Sequence, residues 1–379
     1  MSLIEYFENK TERIVELSSA LIDIESPSFD VEGSREAAEW IESEILQAWP
    51  EAACEKVEAD GVGTHLVVRI SDAESNGKKP VLILGHSDTV HPRGAAEENP
   101  TRIENGRLYG CGSFDMKANI AVMIETLRGI REEQLQLARP VTILICCDEE
   151  VGSETGRPLV EREALLSEFA LVFEPSAAGK VKTGRKGTGG YELHARGIPA
   201  HAGLEPEKGA SAILEIARQI EKLHELTDFS IGTTVTVGLV KGGTATNVVP
   251  ANATCSVDVR FETLAEAKRI ENEIRNLTAV DEKVGLTITG EINRPPMERT
   301  EGVVRLFEKA KALASELGFV LEETKVGGAS DGNFVGALGV PLLDGLGVKG
   351  DGAHTLDEYI EIPDIPSRAA LLAKLLVSE

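Results

Sequence analysis

Continuous apolar runs alternate with amphipathic segments along most of the chain. The segments 116–133 and 301–318 repeat apolar residues with a helical period, and so does the charged N-terminal stretch 1–24. Short runs rich in Val, Ile and Leu predict strands that are buried on both faces. These runs are residues 65–70, 81–85, 141–147, 170–174 and 340–346. Strands that alternate with helices predict an α/β fold with a mostly parallel sheet and flanking helices.

Residues 184–297 follow a different pattern. Four segments alternate apolar and polar residues, which predicts half-buried strands, and two helical segments lie between them. In chain order these are 190–196, 208–226 (helix), 233–240, 253–261, 262–278 (helix) and 285–292. The order β-α-β-β-α-β is that of the ferredoxin-like α+β unit. We therefore predict an α/β domain formed by residues 1–183 and 298–379, with an α+β domain inserted between them.

The charge and the cysteines restrict the function classes. The chain has 379 residues and a formal net charge of −24 at pH 7. A surface this negative repels phosphate backbones and anionic lipids, which argues against a nucleic-acid or membrane-surface partner. The N-terminal stretch lacks the apolar core of a signal peptide, and no later segment is apolar enough to span a bilayer. The five cysteines are odd in number and two are adjacent, which predicts reduced thiols of a cytoplasmic protein.

Acidic residues and histidines lie directly after the predicted strands and in nearby loops. Because ligands of parallel sheets collect at the carboxyl ends of the strands, we expect these side chains at one edge of the sheet. In chain order they are His86, Asp88, Asp115, Asp148, Glu149, Glu150, Glu174 and His354. So many carboxylates would repel one another unless cations lay between them. The structural alternative is a set of unrelated surface charges.

The residue types in this set indicate which cations would fit. Two histidines with several carboxylates favour zinc, or cobalt or manganese, over the all-oxygen sites of magnesium and calcium. Two such ions bridged by one carboxylate would polarise a carbonyl group and generate hydroxide from water. The chemistry then needs a further carboxylate as general base, and the adjacent Glu149 and Glu150 can supply one ligand and one base. These residues therefore predict a dinuclear metal hydrolase.

Eight short segments, in the same order, resemble the dinuclear zinc family of glutamate carboxypeptidases, acetylornithine deacetylases, succinyl-diaminopimelate desuccinylases and aminoacylases. They are GHSDTV, GCGSFDMK, CDEEVGS, FEP, RKGTGG, GIPAHAG, NVVP and GDGAHTLDEY. The resemblance covers nearly the whole chain and is closest to the glutamate carboxypeptidase branch. It implies a zinc-peptidase catalytic domain, with the inserted domain acting as lid and dimerisation domain.

The resemblance also implies a ligand set for two zinc ions. The implied ligands are His86 and Glu174 for one ion, Glu150 and His354 for the other, and Asp115 as the bridge. Cobalt or manganese could take the place of zinc. The peptide bond between Asp115 and Met116 would be cis, which is rare when the second residue is not proline.

Four further residues receive roles from the resemblance. Glu149 would be the general base that activates the attacking water. Asp88 would accept the N–H of His86 and fix its tautomer. His201 would stabilise the oxyanion, and in dimeric relatives this histidine comes from the partner subunit. Asn247 would lie near it.

Arginines are the candidates for substrate recognition, because a guanidinium group binds a carboxylate at two points. Arg260 and Arg294 resemble the positions at which glutamate carboxypeptidases bind the carboxylates of the substrate. The loop 327–334 resembles the family's substrate-carboxylate loop, with Ser330 as a further contact. A solvent-facing position for Arg260 and a hinge position for Arg294 are the structural alternatives.

The resulting prediction is a cytoplasmic two-zinc amide hydrolase that releases a C-terminal amino acid from an N-acyl-amino acid or short peptide, with glutamate as the leading candidate. The resemblance implies a homodimer formed through the inserted domain. A deacylase of the acetylornithine or succinyl-diaminopimelate kind shares every metal ligand and is an alternative, as is a dipeptidase. A non-catalytic relative is the alternative of a different class, and the intact Glu149, His201 and ligand set argue against it.

Overall fold

A computed structural model describes residues 2–72, 75 and 77–378, and the chain forms two units. The first unit comprises Met1–Gly184, Arg299–Val326 and Ser330–Glu379. The second comprises Arg185–Glu298 and Gly327–Ala329. The second unit is therefore an insertion into the chain of the first.

Helices and strands alternate through both units. Up to the insertion, the elements are α1 (Leu3–Ile22), α2 (Val31–Ala48), β1 (Ala53–Ala59), β2 (Gly63–Ile70), β3 (Val81–His86), α3 (Ala95–Glu98), β4 (Arg102–Glu104), β5 (Arg107–Tyr109), α4 (Ala118–Glu132), β6 (Val141–Cys146), α5 (Arg157–Leu166), β7 (Phe169–Val172) and β8 (Val181–Arg185). The second unit then contributes β9 (Gly187–Arg196), α6 (Ala212–Glu225), β10 (Thr234–Gly242), β11 (Asn252–Phe261), α7 (Leu264–Arg275) and β12 (Gly285–Arg294). After it come α8 (Glu301–Glu316), β13 (Glu323–Val326), α9 (Gly332–Ala337), β14 (Leu342–Leu343), β15 (Gly350–Asp351), β16 (Tyr359–Glu361) and α10 (Ile365–Val377). No helix formed by the described residues has the length and apolar character that a bilayer-spanning segment requires.

The central sheet of the first unit has the strand order β1-β2-β6-β3-β7-β14. Strands β6, β3, β7 and β14 run parallel, whereas β1 and β2 join antiparallel at one edge. The predicted α/β fold with a mostly parallel sheet is confirmed. The strand predicted over residues 340–346 is shorter than expected and covers only Leu342–Leu343. Gly345 has a φ of 68°, in the left-handed region, which ends the extended conformation there.

The apolar runs form strands because their side chains are covered on both faces of the sheet. Every residue of β3 and β6 is buried. Ile83 and Ile143 belong to a core cluster shared with α1, α4 and α10. Successive strand residues point to opposite faces, and the neighbours Leu82 and Leu144 are fully buried as well. Helix α5 contacts both β3 and β6.

The second unit is an antiparallel sheet with the strand order β10-β11-β9-β12 and two helices, α6 and α7. Its element order β9-α6-β10-β11-α7-β12 is the β-α-β-β-α-β order expected from the sequence. Alternate residues of β9 and β11 are buried, including Leu193 and Val257. These residues pack with Ile216 of α6 and Ile270 of α7 in one hydrophobic cluster.

The carboxyl ends of the parallel strands bring the polar residues to one edge of the central sheet. Strand β3 ends at His86, and β6 ends at Cys146 shortly before the helical turn Glu149–Val151. Glu174 lies two residues after the end of β7. The helical turn Ser113–Lys117, which contains Asp115, directly precedes α4. The sheet therefore places the residues that end or follow its parallel strands at one common edge.

Candidate metal centre

Asp115 lies between the two histidines of the predicted ligand set. Its Oδ1 is 3.0 Å from Nε2 of His86, and its Oδ2 is 3.6 Å from Nε2 of His354. One carboxylate oxygen therefore faces each imidazole, which is the arrangement that a bridging carboxylate needs. The peptide bond between Asp115 and Met116 is cis, as the resemblance implies.

Each imidazole has a second carboxylate beside it. Oε1 of Glu174 is 3.6 Å from Nε2 of His86, and Oε2 of Glu150 is 3.2 Å from Nε2 of His354. The pairs follow the division that the resemblance implies, with Glu174 beside His86 and Glu150 beside His354, and the assignment of these residues to two ions stays a prediction. The adjacent residues Glu149 and Glu150 reach the two sides because they lie on one tight helical turn.

Two groups of side chains in the first unit can each hold a metal ion. The ligand atoms of His86, Glu149 and Glu174 lie within 4.8 Å of one another, and so do those of His86, Asp115 and Glu150. Imidazole nitrogens combined with carboxylate oxygens are the donors that zinc prefers. The two groups share His86 and neither includes His354, so they form one candidate metal-binding cluster, in which Glu149 is placed to act as a ligand or as a base.

The carboxylates stabilise positive charge at this site. The hydrogen bond to Asp115 outweighs partial burial and, with the charge of Glu150, raises the pKa of His354 to about 9. Burial alone would lower the pKa of the His86 imidazole, but hydrogen bonds to Asp115 and Asp88 outweigh it and raise that pKa well above its usual range. Burial raises the pKa of Glu150 to about 8. Metal cations would experience the same negative field, so the electrostatics fit a pair of cations.

Asp88 contacts both sides of the centre. Nδ1 of His86 is 3.0 Å from the backbone carbonyl oxygen of Asp88 and 3.4 Å from its Oδ1. The carboxylate itself accepts the backbone N–H groups of Glu149 at Oδ1 and of Glu150 at Oδ2, both over 3.1 Å. The hydroxyl of Ser28 also donates to Oδ2, over 2.8 Å. Asp88 therefore orients His86 mainly through its main chain and uses its side chain to hold the turn that carries the two acids.

Sequence reasoning assigned no role to Glu358 or His91. Glu358 is fully buried, and its Oε2 lies 2.9 Å from Nε2 of His91. Glu358 follows His354 by four residues in the segment GDGAHTLDEY. This four-residue spacing from the predicted ligand His354 is the feature of the sequence that could have indicated Glu358.

In the second unit, His201 and Asn247 are neighbours on exposed segments. The backbone N–H of Ala202 donates to the carbonyl oxygen of Asn247 over 2.9 Å. Nδ1 of His201 accepts the N–H of Gly203 over 3.1 Å. With Nδ1 accepting, a neutral His201 carries its proton on Nε2, which can donate to a substrate oxygen. Its oxyanion role stays a prediction.

The other residues predicted to bind substrate have protein partners. The guanidinium of Arg260 donates to both carboxylate oxygens of Asp258, over 2.9 to 3.2 Å. Arg294, at the end of β12, is buried. In the first unit, Ser330 is fully buried and its hydroxyl donates to Oδ2 of Asp344 over 2.8 Å. Their substrate-binding roles stay predictions.

Sequence comparison relates the chain to one family of enzymes. The model of peptidase family M20/M25/M40 matches residues 82–378. Carboxypeptidase G2 from Pseudomonas sp. (strain RS-16) is 30% identical over 372 residues, which cover 96% of this chain and 88% of that protein. A succinyl-diaminopimelate desuccinylase from Janthinobacterium sp. (strain Marseille) is 29% identical over 338 residues, which cover 82% of this chain and 85% of that protein.

Solved structures share the fold along the whole chain. The crystal structure of aminopeptidase PepT from Bacillus cereus superposes with a TM-score of 0.83 at 22% identity, covering 97% of this chain and 98% of that one. An M20 family metallo-carboxypeptidase from Sulfolobus solfataricus gives a TM-score of 0.70 at 17% identity, covering 96% and 98%. At these identities the likeness shows the fold.

Proposed function

The chain belongs to peptidase family M20/M25/M40, and from this membership we propose that it is a two-zinc carboxypeptidase that releases C-terminal glutamate from N-acyl or peptidyl substrates. Membership identifies the chain as a metal-dependent peptidase or amide hydrolase. The zinc, the two-ion stoichiometry and the released amino acid are the proposed parts. The likeness to carboxypeptidase G2 over 96% of the chain supports them.

The observation that carries the proposal is the position of Asp115 between two histidines. In the proposed centre, His86 and Glu174 would hold one ion, Glu150 and His354 would hold the other, and Asp115 would be shared between them. When bound, the ions polarise the scissile carbonyl group and lower the pKa of the attacking water. The two imidazoles and three carboxylates would supply protein ligands for both ions.

Glu149 is the proposed general base. Its carboxylate takes a proton from the water that attacks the carbonyl carbon and delivers it to the amine nitrogen as the C–N bond breaks. Its contacts support this role, because its backbone N–H is held by Asp88 and its side chain lies beside His86 and Glu174. His201 is proposed to donate from Nε2 to the oxyanion that forms in the attack.

Arg260 and Arg294 are proposed to select substrates with carboxylates. The guanidinium of Arg260 already engages the Asp258 carboxylate at two points, which is the geometry that a glutamate carboxylate would require. A substrate carboxylate would then compete with Asp258 for the same guanidinium. Asn247 and Ser330 remain in the proposal as contacts near the substrate.

A homodimer is proposed through the second unit. Strand β10 lies at the edge of its sheet, and its residues Leu239 and Val240 are exposed. An exposed edge strand with apolar residues is suited to pairing with a second copy of the chain. The five cysteines carry free thiols, which fits the proposed cytoplasmic location.

The test is the release of free amino acid by zinc- or cobalt-loaded protein from paired substrates. N-acyl-glutamates are compared with N-acetylornithine, N-succinyl-diaminopimelate and dipeptides, with chelated protein as the blank. Glutamate release that is lost on chelation supports the proposal. Turnover of N-succinyl-diaminopimelate alone would replace it with a desuccinylase, the alternative favoured by the second relative. No turnover of any substrate by protein that binds two ions would contradict it.

A further inference from the structure

The buried carboxylate of Glu358 accepts hydrogen bonds from the loop that carries Asp115. Glu358 is 0% exposed and lies directly before β16. Its Oε1 accepts the backbone N–H groups of Phe114 and Asp115 over 2.9 and 2.8 Å. Its Oε2 accepts the N–H of Gly112 over 2.8 Å. One side chain therefore fixes three backbone groups of the loop that positions the bridging ligand.

The same carboxylate reaches the loop that follows His86. Oε2 lies 2.9 Å from Nε2 of His91, which is itself buried. The loops also pack closely, because a Cβ at Gly112 would come within 2.6 Å of Cγ2 of Thr89. Glu358 thus joins the segment that follows the predicted ligand His86 to the loop that carries the predicted ligand Asp115.

Glu358 also anchors the loop of His354. The His354 side chain is 53% exposed, and its backbone has a φ of 66°. The contacts of Thr355 stay inside this loop, where its hydroxyl donates to the carbonyl oxygen of Gly352. The Glu358 side chain attaches this loop to the rest of the unit, together with three other contacts. The Asn99 amide donates to the carbonyl oxygen of Leu356 over 2.6 Å, the N–H of Gly110 donates to the carbonyl oxygen of Glu358 over 3.3 Å, and Ala353 packs against the core.

We propose that Glu358 is a positioning residue that sets the spacing between Asp115 and His354, and thereby the affinity of the second metal ion. The inference rests on the two-ion centre of the proposed function. His86 is the last residue of β3 and Glu174 lies two residues after β7, so the first ion keeps two well-supported ligands when Glu358 is changed. The second ion depends on His354, whose loop relies on Glu358 for its position.

The informative substitution is Glu358→Gln, which keeps the size of the side chain. The amide nitrogen cannot accept, so at least one backbone N–H of the 112–115 loop loses its partner. Loss of a residue that orients a ligand typically lowers metal affinity by about 10- to 100-fold. We expect this loss at the second ion and a smaller loss at the first, because both ions share Asp115 but only the second uses His354.

The matched control is Glu215→Gln in the second unit. Glu215 is also buried, and its carboxylate accepts the backbone N–H groups of Val280 and Asp281 over 2.9 and 3.0 Å. It therefore anchors a loop in the same way, away from the predicted ligands in sequence and in a different unit. The control variant should lose thermal stability while binding both ions as the wild type does.

The experiment is titration of the metal-free full-length protein with Co²⁺, followed by calorimetry and by the visible absorption of the bound cobalt. The expected result in Glu358→Gln is one site weakened about 10- to 100-fold and the other weakened clearly less, with altered visible bands. His91→Leu removes a single contact and should shift the second site in the same direction, which keeps the test usable if Glu358→Gln does not fold. Two wild-type cobalt sites in both variants would overturn the inference.

Two further outcomes separate this inference from the proposed function. Equal weakening of both sites, or the same loss in Glu215→Gln, would show general destabilisation and overturn the positioning role. Wild-type protein that binds fewer than two Co²⁺ ions would contradict the two-ion centre itself and remove the premise of the inference.

Discussion

Asp88 offers the sharpest test of how the site is held together. Four donors converge on its two carboxylate oxygens or lie near them: the backbone N–H groups of Glu149 and Glu150, the hydroxyl of Ser28 and the imidazole of His86. Asp88→Asn keeps the shape but replaces one acceptor by a donor. Ser28 can rotate its hydroxyl to accept, whereas a backbone N–H cannot. The backbone N–H of either Glu149 or Glu150 is therefore left without a partner.

The size of the effect follows from that lost partner. A donor left unsatisfied in a buried site costs about 1–3 kcal/mol. If the cost falls on the placement of Glu149 in the transition state, kcat drops by about 5- to 150-fold, because 1.36 kcal/mol is a factor of ten. The main-chain carbonyl that accepts from His86 is unchanged. We therefore expect metal binding on the His86 side to be retained.

The assay measures kcat and bound zinc for Asp88→Asn under saturating metal, with the best substrate of the glutamate series. The matched control is Asp72→Asn, because Asp72 also accepts two backbone N–H groups, from Ser75 and Leu137, away from the predicted ligands. The control should retain kcat. A kcat within twofold of wild type in Asp88→Asn would refute the reasoning, as would an equal loss in both variants.

Three other predictions follow from the contacts. Asp258→Asn should free Arg260 and lower KM for acyl-glutamates by up to about fivefold, since an exposed ion pair is worth about 0–1 kcal/mol. Steady-state kinetics measure this change, with an acyl-amino acid that has an uncharged side chain as the control substrate. Leu66→Ala, at a fully buried strand position, should lower the free energy of unfolding by about 2–5 kcal/mol in denaturant titrations. Zinc binding at pH 7 should release protons, because burial raises the pKa of Glu150 to about 8, the hydrogen bond to Asp115 raises the pKa of His354 to about 9, and both groups must be deprotonated to bind. Zinc affinity should then rise with pH from 7 to 9. Calorimetry in buffers of different ionisation enthalpy counts the released protons, and zinc binding without any proton release would contradict the ligand assignment.

The sequence allowed the fold and the ligand cluster to be predicted for a clear physical reason. Fully buried strands leave continuous apolar runs, and their carboxyl ends carry the polar residues, so β3, β6 and β7 and the residues that follow them could be located. Strand β14 was overestimated, because Gly345 turns the chain within an apolar run.

Contacts between distant side chains and main chains could not be predicted. Asp88 was expected to accept the N–H of His86, and its carboxylate mainly accepts the backbone N–H groups of Glu149 and Glu150. Glu358 was not assigned, because its four-residue spacing from His354 does not reveal that its carboxylate accepts backbone N–H groups of the 112–115 loop. Such roles depend on tertiary hydrogen bonds that periodicity and spacing do not encode.

The role of Glu149 as general base of a two-zinc centre is tested most directly by the metal content and turnover of Glu149→Gln. We expect two zinc ions per chain, as in the wild type, and a loss of turnover of about 10²- to 10⁴-fold, the usual contribution of general acid–base catalysis. Loss of one zinc ion would make Glu149 a ligand of the His86 and Glu174 group instead of the base. Full turnover with two ions bound would contradict the proposed mechanism.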